Sequence, residues 1–254
     1  MLAKYEGVCY ELLRPAEVKA RREEAPIAYV VAGSLEWHGV QNPLGTDALK
    51  AHAICCEAAL RSGGVVLPPF YQGLLGHTNW GPEGWGGYTL SFNESPTLEA
   101  AMLGITRALV FGGWKVIVGV TGHDVEPQRA AMERAIEAGT RGSDAVGFAV
   151  REGDLHTPDR EIPVGMDHAG SWETSCMQYA YPDQVDLDAL REQGLTDAEA
   201  DLQMSGPYGI GGKNPITHGS AELGRKIIER MGELIGGKAR GTLDERQAEG
   251  HAQS

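Results

Sequence analysis

Basic residues are scarce in this chain of 254 residues. Lys and Arg number 22 against 35 Asp and Glu, which gives a formal net charge of -13. The sequence also has no clustered stripe of Lys and Arg, the feature through which proteins bind polyanions. The composition therefore argues against nucleic acid and anionic membrane surfaces as partners.

Cysteine is also rare. The chain has Cys9, Cys55, Cys56 and Cys176, and none of them shows C-x-x-C spacing. Disulfide frameworks and zinc-thiolate sites use recognisable paired spacings. We therefore expect reduced thiols that are mostly buried in the core.

Long apolar runs are missing as well. "AYVVAG" and "KVIVGV" are far shorter than the roughly 18 residues that a transmembrane helix needs. The opening "MLAKYEGVCYELLRPAE" lacks the apolar stretch of a signal peptide. These features predict a cytoplasmic protein that does not enter a membrane.

What is present is typical of one globular domain, with 42% hydrophobic and 22% charged residues. Apolar runs predict strands in the segments 27–33, 65–70, 115–124 and 145–154, and helices begin near Asp47, Ser95 and Pro127. This alternation predicts an α/β domain with a central, mostly parallel sheet flanked by helices. We expect the domain to span residues 1–237 and a polar C-terminal tail to span residues 238–254.

Three segments rich in His, Asp and Glu follow predicted strands. "GSLEWHGVQNPLGTD" contains Glu36, His38 and Asp47, "TGHD" contains His123, and "DHAGSWETS" contains Glu173. Parallel strands end at one edge of a sheet, where ligands gather. Carboxylates combined with imidazoles suit Zn, Mn or Fe better than Ca or Mg. If all five side chains converge, they could hold two metals bridged by Asp47.

Each segment also has a simpler interpretation. A Glu-x-His pair occurs in ordinary solvated loops, and Asp124 and Glu173 could serve as charges at helix N-termini. The residues alone leave both interpretations open. The placement of all three segments at strand ends favours the metal site.

Taken together, the three segments resemble the creatininase (creatinine amidohydrolase) family. Its members show a Glu-x-His-Gly loop followed by Pro-Leu-Gly-Thr-Asp, then a Gly-His step, then His-Ala-Gly-x-x-Glu-Thr-Ser. The resemblance implies an α/β fold, a two-metal site of Zn or Mn type, and a homo-oligomer that is often a hexamer. It also implies that His168 is the acid/base histidine and that Glu173 contacts a metal or its bound water. The metal ligands that it implies, with Asp47 as the bridge, are Glu36, His38, Asp47 and His123.

The chain departs from the family pattern after the Gly-His step. Creatininases place a Glu two residues after that histidine, where this chain has Val125, and Glu126 is one step further along. Gln41 and Asn42 also stand where His and Leu are commoner. Because the second metal loses one expected ligand, we expect one or two divalent ions per chain.

The expected activity is that of a metal-dependent hydrolase that opens the ring of a small polar cyclic substrate, most simply a cyclic amide at its C–N bond. His168 would protonate the leaving atom, and Asp167 would orient His168. Aromatic and polar side chains would close over the ring and exclude water. The residues expected to contact substrate are Trp172, His77, Asn79 and Trp80.

Other functions stay open at this point. Relatives in the family hydrolyse the ring C–C bond of oxidised inositols, and the polar groups around the expected site would suit such a ring. A non-enzymatic protein with a structural metal is another alternative. A thiol hydrolase built on Cys176 and His168 is weaker, because Cys176 lies on an apolar helix face.

Overall fold

The computed structural model describes residues 3–75, 88–92, 94–200 and 208–252. Three of the expected substrate contacts, His77, Asn79 and Trp80, lie outside these residues. Within the described part of the chain, no helix combines the length and the hydropathy needed to cross a membrane.

The centre of the fold is a four-stranded parallel sheet with the strand order β2-β1-β3-β4. Its strands are β1 (Ile27–Ala32), β2 (Val65–Val66), β3 (Val116–Thr121) and β4 (Val146–Arg151). Ile27 pairs with Val116 and Ala32 with Thr121, so β1 and β3 end at the same level. Both strands are buried along their whole length, as expected for central strands covered on both faces. The predicted fold class is confirmed.

Nine α-helices lie in the described residues, two short 3₁₀ helices precede them at Ala3–Val8 and Tyr10–Leu12, and a third 3₁₀ helix spans Pro182–Gln184. In chain order they are α1 (Pro15–Glu24), α2 (Thr46–Ser62), α3 (Ser95–Phe111), α4 (Glu126–Thr140), α5 (Ser171–Ala180), α6 (Leu187–Glu192), α7 (Asp197–Ala200), α8 (Pro215–His218) and α9 (Ala221–Ala252).

Alternate residues of β1 face two separate apolar layers, because side chains along a strand alternate between its faces. Tyr29 and Val31 belong to the layer that contains buried residues of α2, α5 and α9. Ala28 and Val30 belong to the layer that contains residues of α3 and α4. The helices thus sandwich the sheet and leave its carboxyl edge for other groups.

Helix α9 corrects one expectation. The segment from residue 238 was expected to be a polar tail, but α9 continues through it to Ala252. Ala239 and Leu243 are buried in the same layer as Ile235, at a spacing of four residues along one helix face. The expected boundary at residue 237 therefore falls inside a helix that packs on the core.

Candidate metal centre

The candidate site lies where β1 and β3 end and α2 begins. Gly33 and Gly122 directly follow these strands, and a side chain at either position would collide with the backbone of Ala48 or Asp47. Glycine at both positions lets the first turn of α2 approach the strand ends. The Glu36 backbone N–H donates to the Leu44 carbonyl at 3.1 Å, which closes the loop between β1 and α2.

All five predicted ligands are buried and meet around Asp47, whose two carboxylate oxygens face different partners. Asp47 Oδ2 lies 3.1 Å from His123 Nδ1, which in turn lies 3.1 Å from Glu36 Oε1. We call Glu36, His123 and Asp47 Oδ2 the Oδ2 half of the site.

The second oxygen faces the remaining two ligands. Asp47 Oδ1 lies 3.0 Å from His38 Nε2, which lies 3.3 Å from Glu173 Oε2. We call His38, Glu173 and Asp47 Oδ1 the Oδ1 half of the site. Asp47 thus has the position of a bridging carboxylate between two groups of three donors.

Backbone carbonyls determine which nitrogen of each histidine faces the site. His38 Nδ1 lies 3.1 Å from the Glu36 carbonyl, and His123 Nε2 lies 3.0 Å from the Leu74 carbonyl. Because a carbonyl only accepts, each of these nitrogens donates its N–H. The opposite nitrogens, His38 Nε2 and His123 Nδ1, are left facing the carboxylates. This outer contact is typical of metal-binding histidines.

The donor set fits a divalent metal. Donors bound to one Zn ion at about 2.0–2.2 Å lie about 3.0–3.5 Å from one another, as these nitrogens and oxygens do. Asp47 Oδ2 is buried, and within the described residues it accepts no hydrogen bond. Burial lowers the pKa of His123, but Glu36 and Asp47 outweigh it and raise that pKa to about 10. Excess negative charge in the cluster therefore attracts a proton or a metal ion.

Lys50 is a member of the site that the sequence did not indicate. Its side chain is 1% exposed, and its Nζ lies 2.9 Å from Glu173 Oε1, 3.1 Å from Glu152 Oε1 and 3.4 Å from Asp47 Oδ1. It also donates to the Gly122 carbonyl. Burial lowers the pKa of Lys50, but Glu152, Glu173 and Asp47 together hold it well above its ordinary value. The Oδ1 half therefore contains its own fixed cation.

His168 lies against the ligands. Its ring centroid is 4.5 Å from that of His38, and its Nδ1 is 3.7 Å from Glu36 Oε1. Two backbone hydrogen bonds with Gly211, of 2.8 and 2.9 Å, hold the His168 backbone in place. Burial and the neighbouring His38 lower the pKa of His168 to about 4. The ring is thus neutral near pH 7.

The turn after His168 is held in an uncommon conformation. Ala169 has a φ of 55°, a left-handed value that non-glycine residues rarely adopt. Its N–H donates to Glu173 Oε2 at 2.6 Å, and its carbonyl accepts from Gln41 Nε2 at 2.8 Å. Such strain is retained where surrounding contacts require it, often at functional sites. Here the Ala169 N–H holds Glu173 Oε2 close to His38. The hydrogen bond from Gln41 links the loop after β1 to the turn before α5.

Two predicted roles change in the structure. Asp167 was expected to orient His168, but it accepts the backbone N–H groups of Trp172 and Glu173 at 2.9 and 3.3 Å. These contacts satisfy the first turn of α5 and fix Glu173, which gives Asp167 a positioning role. Trp172 was expected to contact substrate, but it is 0% exposed in the core and donates to Glu152 Oε1 at 3.0 Å. Because Trp172 is buried in the core, the structure does not support the predicted substrate contact.

The segment after His123 supplies no replacement for the missing Glu. Val125 lies at the N-terminus of α4, and Glu126 is exposed and pairs with Arg129. Asp124 is also exposed, and it pairs with Arg151 at 2.7 Å. The position that a Glu would fill in the family pattern is thus left without a carboxylate from this segment.

Comparison with known proteins agrees with this geometry. A family model for creatininase, described as creatinine amidohydrolase, matches residues 11–236. The chain belongs to the creatininase family. Creatinine amidohydrolase of Pseudomonas putida is 29% identical over 171 residues, which are 62% of this chain and 65% of that protein. The match therefore spans slightly less than two thirds of that relative.

Solved structures of creatininases share the fold. One crystal structure of creatinine amidohydrolase covers 93% of this chain and 98% of its own, with a TM-score of 0.76 at 23% identity. A mutant creatininase of Zn–Zn type has the same TM-score and identity, with 92% and 98% covered. A manganese form of creatininase reaches a TM-score of 0.73 at 23% identity, with 93% and 98% covered. The family predicted from three short segments is confirmed.

Proposed function

We propose that this member of the creatininase family hydrolyses a small polar cyclic amide at its ring C–N bond, with a divalent metal at the Asp47 centre. The observation that carries the proposal is the meeting of Glu36, His38, Asp47, His123 and Glu173 beside His168 in one buried cluster. A divalent metal at such a centre acts as a Lewis acid and lowers the pKa of water.

The protein's own side chains supply positioning and proton transfer. His168 is neutral and lies beside the ligands, so one ring nitrogen can take a proton and later return it to the leaving nitrogen of the opened ring. Glu36 Oε1, 3.7 Å from His168 Nδ1, stabilises the imidazolium that forms in between. Asp167 holds Glu173 through the first turn of α5.

We infer that one metal ion binds per chain, in the Oδ2 half. Lys50 contacts Asp47, Glu173 and Glu152, so a fixed positive charge already lies in the Oδ1 half. An ion in the Oδ2 half faces Glu36, Asp47 and His123, whereas a second ion would lie beside the Lys50 ammonium in the Oδ1 half. The ion is Mn²⁺ or Zn²⁺, as the donor set favours and as the forms of the solved creatininases suggest.

The metal count tests the role of Lys50. Equilibrium dialysis against Mn²⁺ should give about one Mn per chain in the natural protein and about two in Lys50→Gln, because the fixed charge is gone. Lys115→Gln is the matched control, since Lys115 forms an exposed pair with Asp144. Two ions of equal affinity in the natural protein would contradict the inference.

The reaction is tested with a substrate panel. The protein loaded with Mn²⁺ or Zn²⁺ is incubated with creatinine, other five-membered cyclic amides and an oxidised inositol, and ring opening is followed by mass spectrometry. We expect addition of one water to a cyclic amide, lost on metal removal and in His168→Asn. Turnover of the oxidised inositol alone would favour C–C hydrolysis instead. Bound metal without turnover of any ring would favour a non-catalytic metal protein.

Self-association is a further part of the proposal. Phe111 at the end of α3 is 95% exposed and Leu90 is 65% exposed, so each offers apolar surface that a subunit contact could bury. We propose a homo-oligomer, a hexamer by resemblance. Light scattering of the natural protein and of Phe111→Ser measures the mass directly, and a monomer at micromolar concentration would contradict it.

A further inference from the structure

A second cluster of metal-binding side chains lies away from the Asp47 centre. Cys9 lies between the two N-terminal 3₁₀ helices, and His52 and Cys56 lie one turn apart on α2. Cys9 Sγ is 3.7 Å from Cys56 Sγ and 4.0 Å from His52 Nε2, and Cys56 Sγ is 3.9 Å from the same nitrogen. All three residues are buried.

These separations match those of ligands around one metal ion. With Zn–S near 2.3 Å and Zn–N near 2.0–2.1 Å, tetrahedral donors lie about 3.6–3.8 Å apart, and trigonal donors about 3.8–4.0 Å apart. The sulfur–sulfur separation of 3.7 Å matches the tetrahedral value, and the two sulfur–nitrogen separations of 3.9 and 4.0 Å are about 0.1–0.2 Å longer than the trigonal value. A disulfide needs a sulfur separation of about 2.0 Å, so the thiols are spaced as ligands rather than as a bonded pair.

The chemistry of the cluster selects a soft ion. Thiolate and imidazole prefer Zn²⁺ and Cu⁺ over Mn²⁺ and Mg²⁺. Two thiolates neutralise the charge of one Zn²⁺, which favours binding in a buried, apolar surrounding.

We propose that Cys9, His52 and Cys56 form a second metal site, separate from the Asp47 centre, that binds a thiophilic ion of the Zn²⁺ or Cu⁺ kind. Cu⁺ is satisfied by three such ligands, and Zn²⁺ takes one further ligand. The site fastens the N-terminal segment to α2. Since α2 also carries Asp47 and Lys50, one helix then serves the Asp47 centre and a thiolate–imidazole site.

The test compares neighbouring cysteines of the same helix. Cys55 is buried beside Cys56 but is not a member of the cluster, so Cys55→Ser is the matched control for Cys56→Ser. Each protein is stripped of metal, kept reduced, given Mn²⁺ for the Asp47 centre, and titrated with Co²⁺ as a probe for Zn²⁺. A parallel titration with Cu⁺ and a competing chelator distinguishes the two ions.

We expect thiolate-to-cobalt charge-transfer absorption that saturates at one equivalent in the natural protein and in Cys55→Ser. It should be absent in Cys56→Ser and in Cys9→Ser. Equal absorption in Cys56→Ser would overturn the proposal. Cobalt binding without charge transfer in the natural protein, combined with no Cu⁺ uptake at Cys9 and Cys56, would do the same, as would a Cys9–Cys56 disulfide that reforms without metal uptake.

A measurement on the natural protein covers the case in which the serine variants do not fold. X-ray absorption at the zinc edge, with Mn²⁺ in the Asp47 centre and one equivalent of Zn²⁺ added, should show two sulfur neighbours at about 2.3 Å. Neighbours that are all oxygen or nitrogen, in a protein that also takes up no Cu⁺ at these sulfurs, would contradict the proposal. Neither result depends on the hydrolytic activity. The experiments therefore test the Cys9–His52–Cys56 site independently of the proposed reaction.

Discussion

The two halves of the Asp47 centre are built from similar ligands but differ in charge. The Oδ2 half contains Glu36 and His123, and within the described residues no Lys or Arg forms an ion pair with either of them. The Oδ1 half contains His38 and Glu173 together with the buried ammonium of Lys50. One carboxylate therefore lies between a candidate metal position and a permanent cation, and the difference predicts which half binds metal.

The largest expected effect comes from the residue that both halves share. Asp47→Asn removes the charge of the bridge and should abolish both bound Mn²⁺ and hydrolysis, a loss of more than about 100-fold in metal affinity. Asp124→Asn, an exposed Asp that pairs with Arg151, is the control and should keep both. Metal counting and turnover measure the result, and retention of one Mn per chain in Asp47→Asn would refute the bridge.

The second-largest expected effect distinguishes the Oδ2 half of the site from the Oδ1 half. Glu36→Gln should lower Mn²⁺ affinity by about 100-fold, whereas Glu173→Gln should lower it by less than about tenfold. Glu173→Gln should instead destabilise the fold by about 2 kcal/mol, because Lys50 loses one of its buried partners. Calorimetric titration and denaturant unfolding measure the two quantities. The reverse ranking of the two affinities would place the metal in the Oδ1 half.

A smaller effect is expected at Gln128, which positions the Oδ2 half from outside. Gln128 accepts from the Leu74 N–H at 2.7 Å and donates to the Gly33 carbonyl at 3.1 Å, and the Leu74 carbonyl holds His123. Gln128→Leu should weaken Mn²⁺ binding by about tenfold while kcat per bound metal changes little. An unchanged affinity in the folded variant would show that the Leu74 carbonyl does not need this support.

The smallest effect is expected at Trp172, which contacts the Oδ1 half through Glu152 and Lys50. Trp172→Phe removes the indole donor to Glu152 and should lower the free energy of unfolding by about 1–2 kcal/mol. KM should stay the same, because Trp172 is buried in the core. Unfolding curves and steady-state kinetics test both statements, and a large rise in KM would restore the predicted substrate contact.

The five candidate ligands could be selected from the sequence because each lies near a strand end or in a distinctive segment, and the structure brings their side chains together. Glu36, His38 and His123 follow buried strands, and parallel strands bring their ends together. Glu152 follows β4 in the same way, so the same rule could have found it. Lys50 carried no comparable signal, because a lysine inside a helix is ordinarily a solvated residue.

Other features depended on contacts distant in the sequence. The i, i+4 spacing of His52 and Cys56 is visible on α2, but Cys9 lies 43 residues before His52, and only the fold brings it there. The continuation of α9 did have a signal in the spacing of Ile235, Ala239 and Leu243, which the polar composition of that segment concealed. The role of Asp167 required the geometry of the first turn of α5.

The most direct test of the account is the position of the metal. A crystal soaked in Mn²⁺ and measured near the manganese edge should show one anomalous peak, bounded by Glu36, Asp47 and His123, with Lys50 still against Glu173. A peak between His38 and Glu173 with Lys50 displaced would contradict the assignment of the metal to the Oδ2 half. No peak at either place, in crystals that bind Mn²⁺ elsewhere, would contradict the metal centre itself.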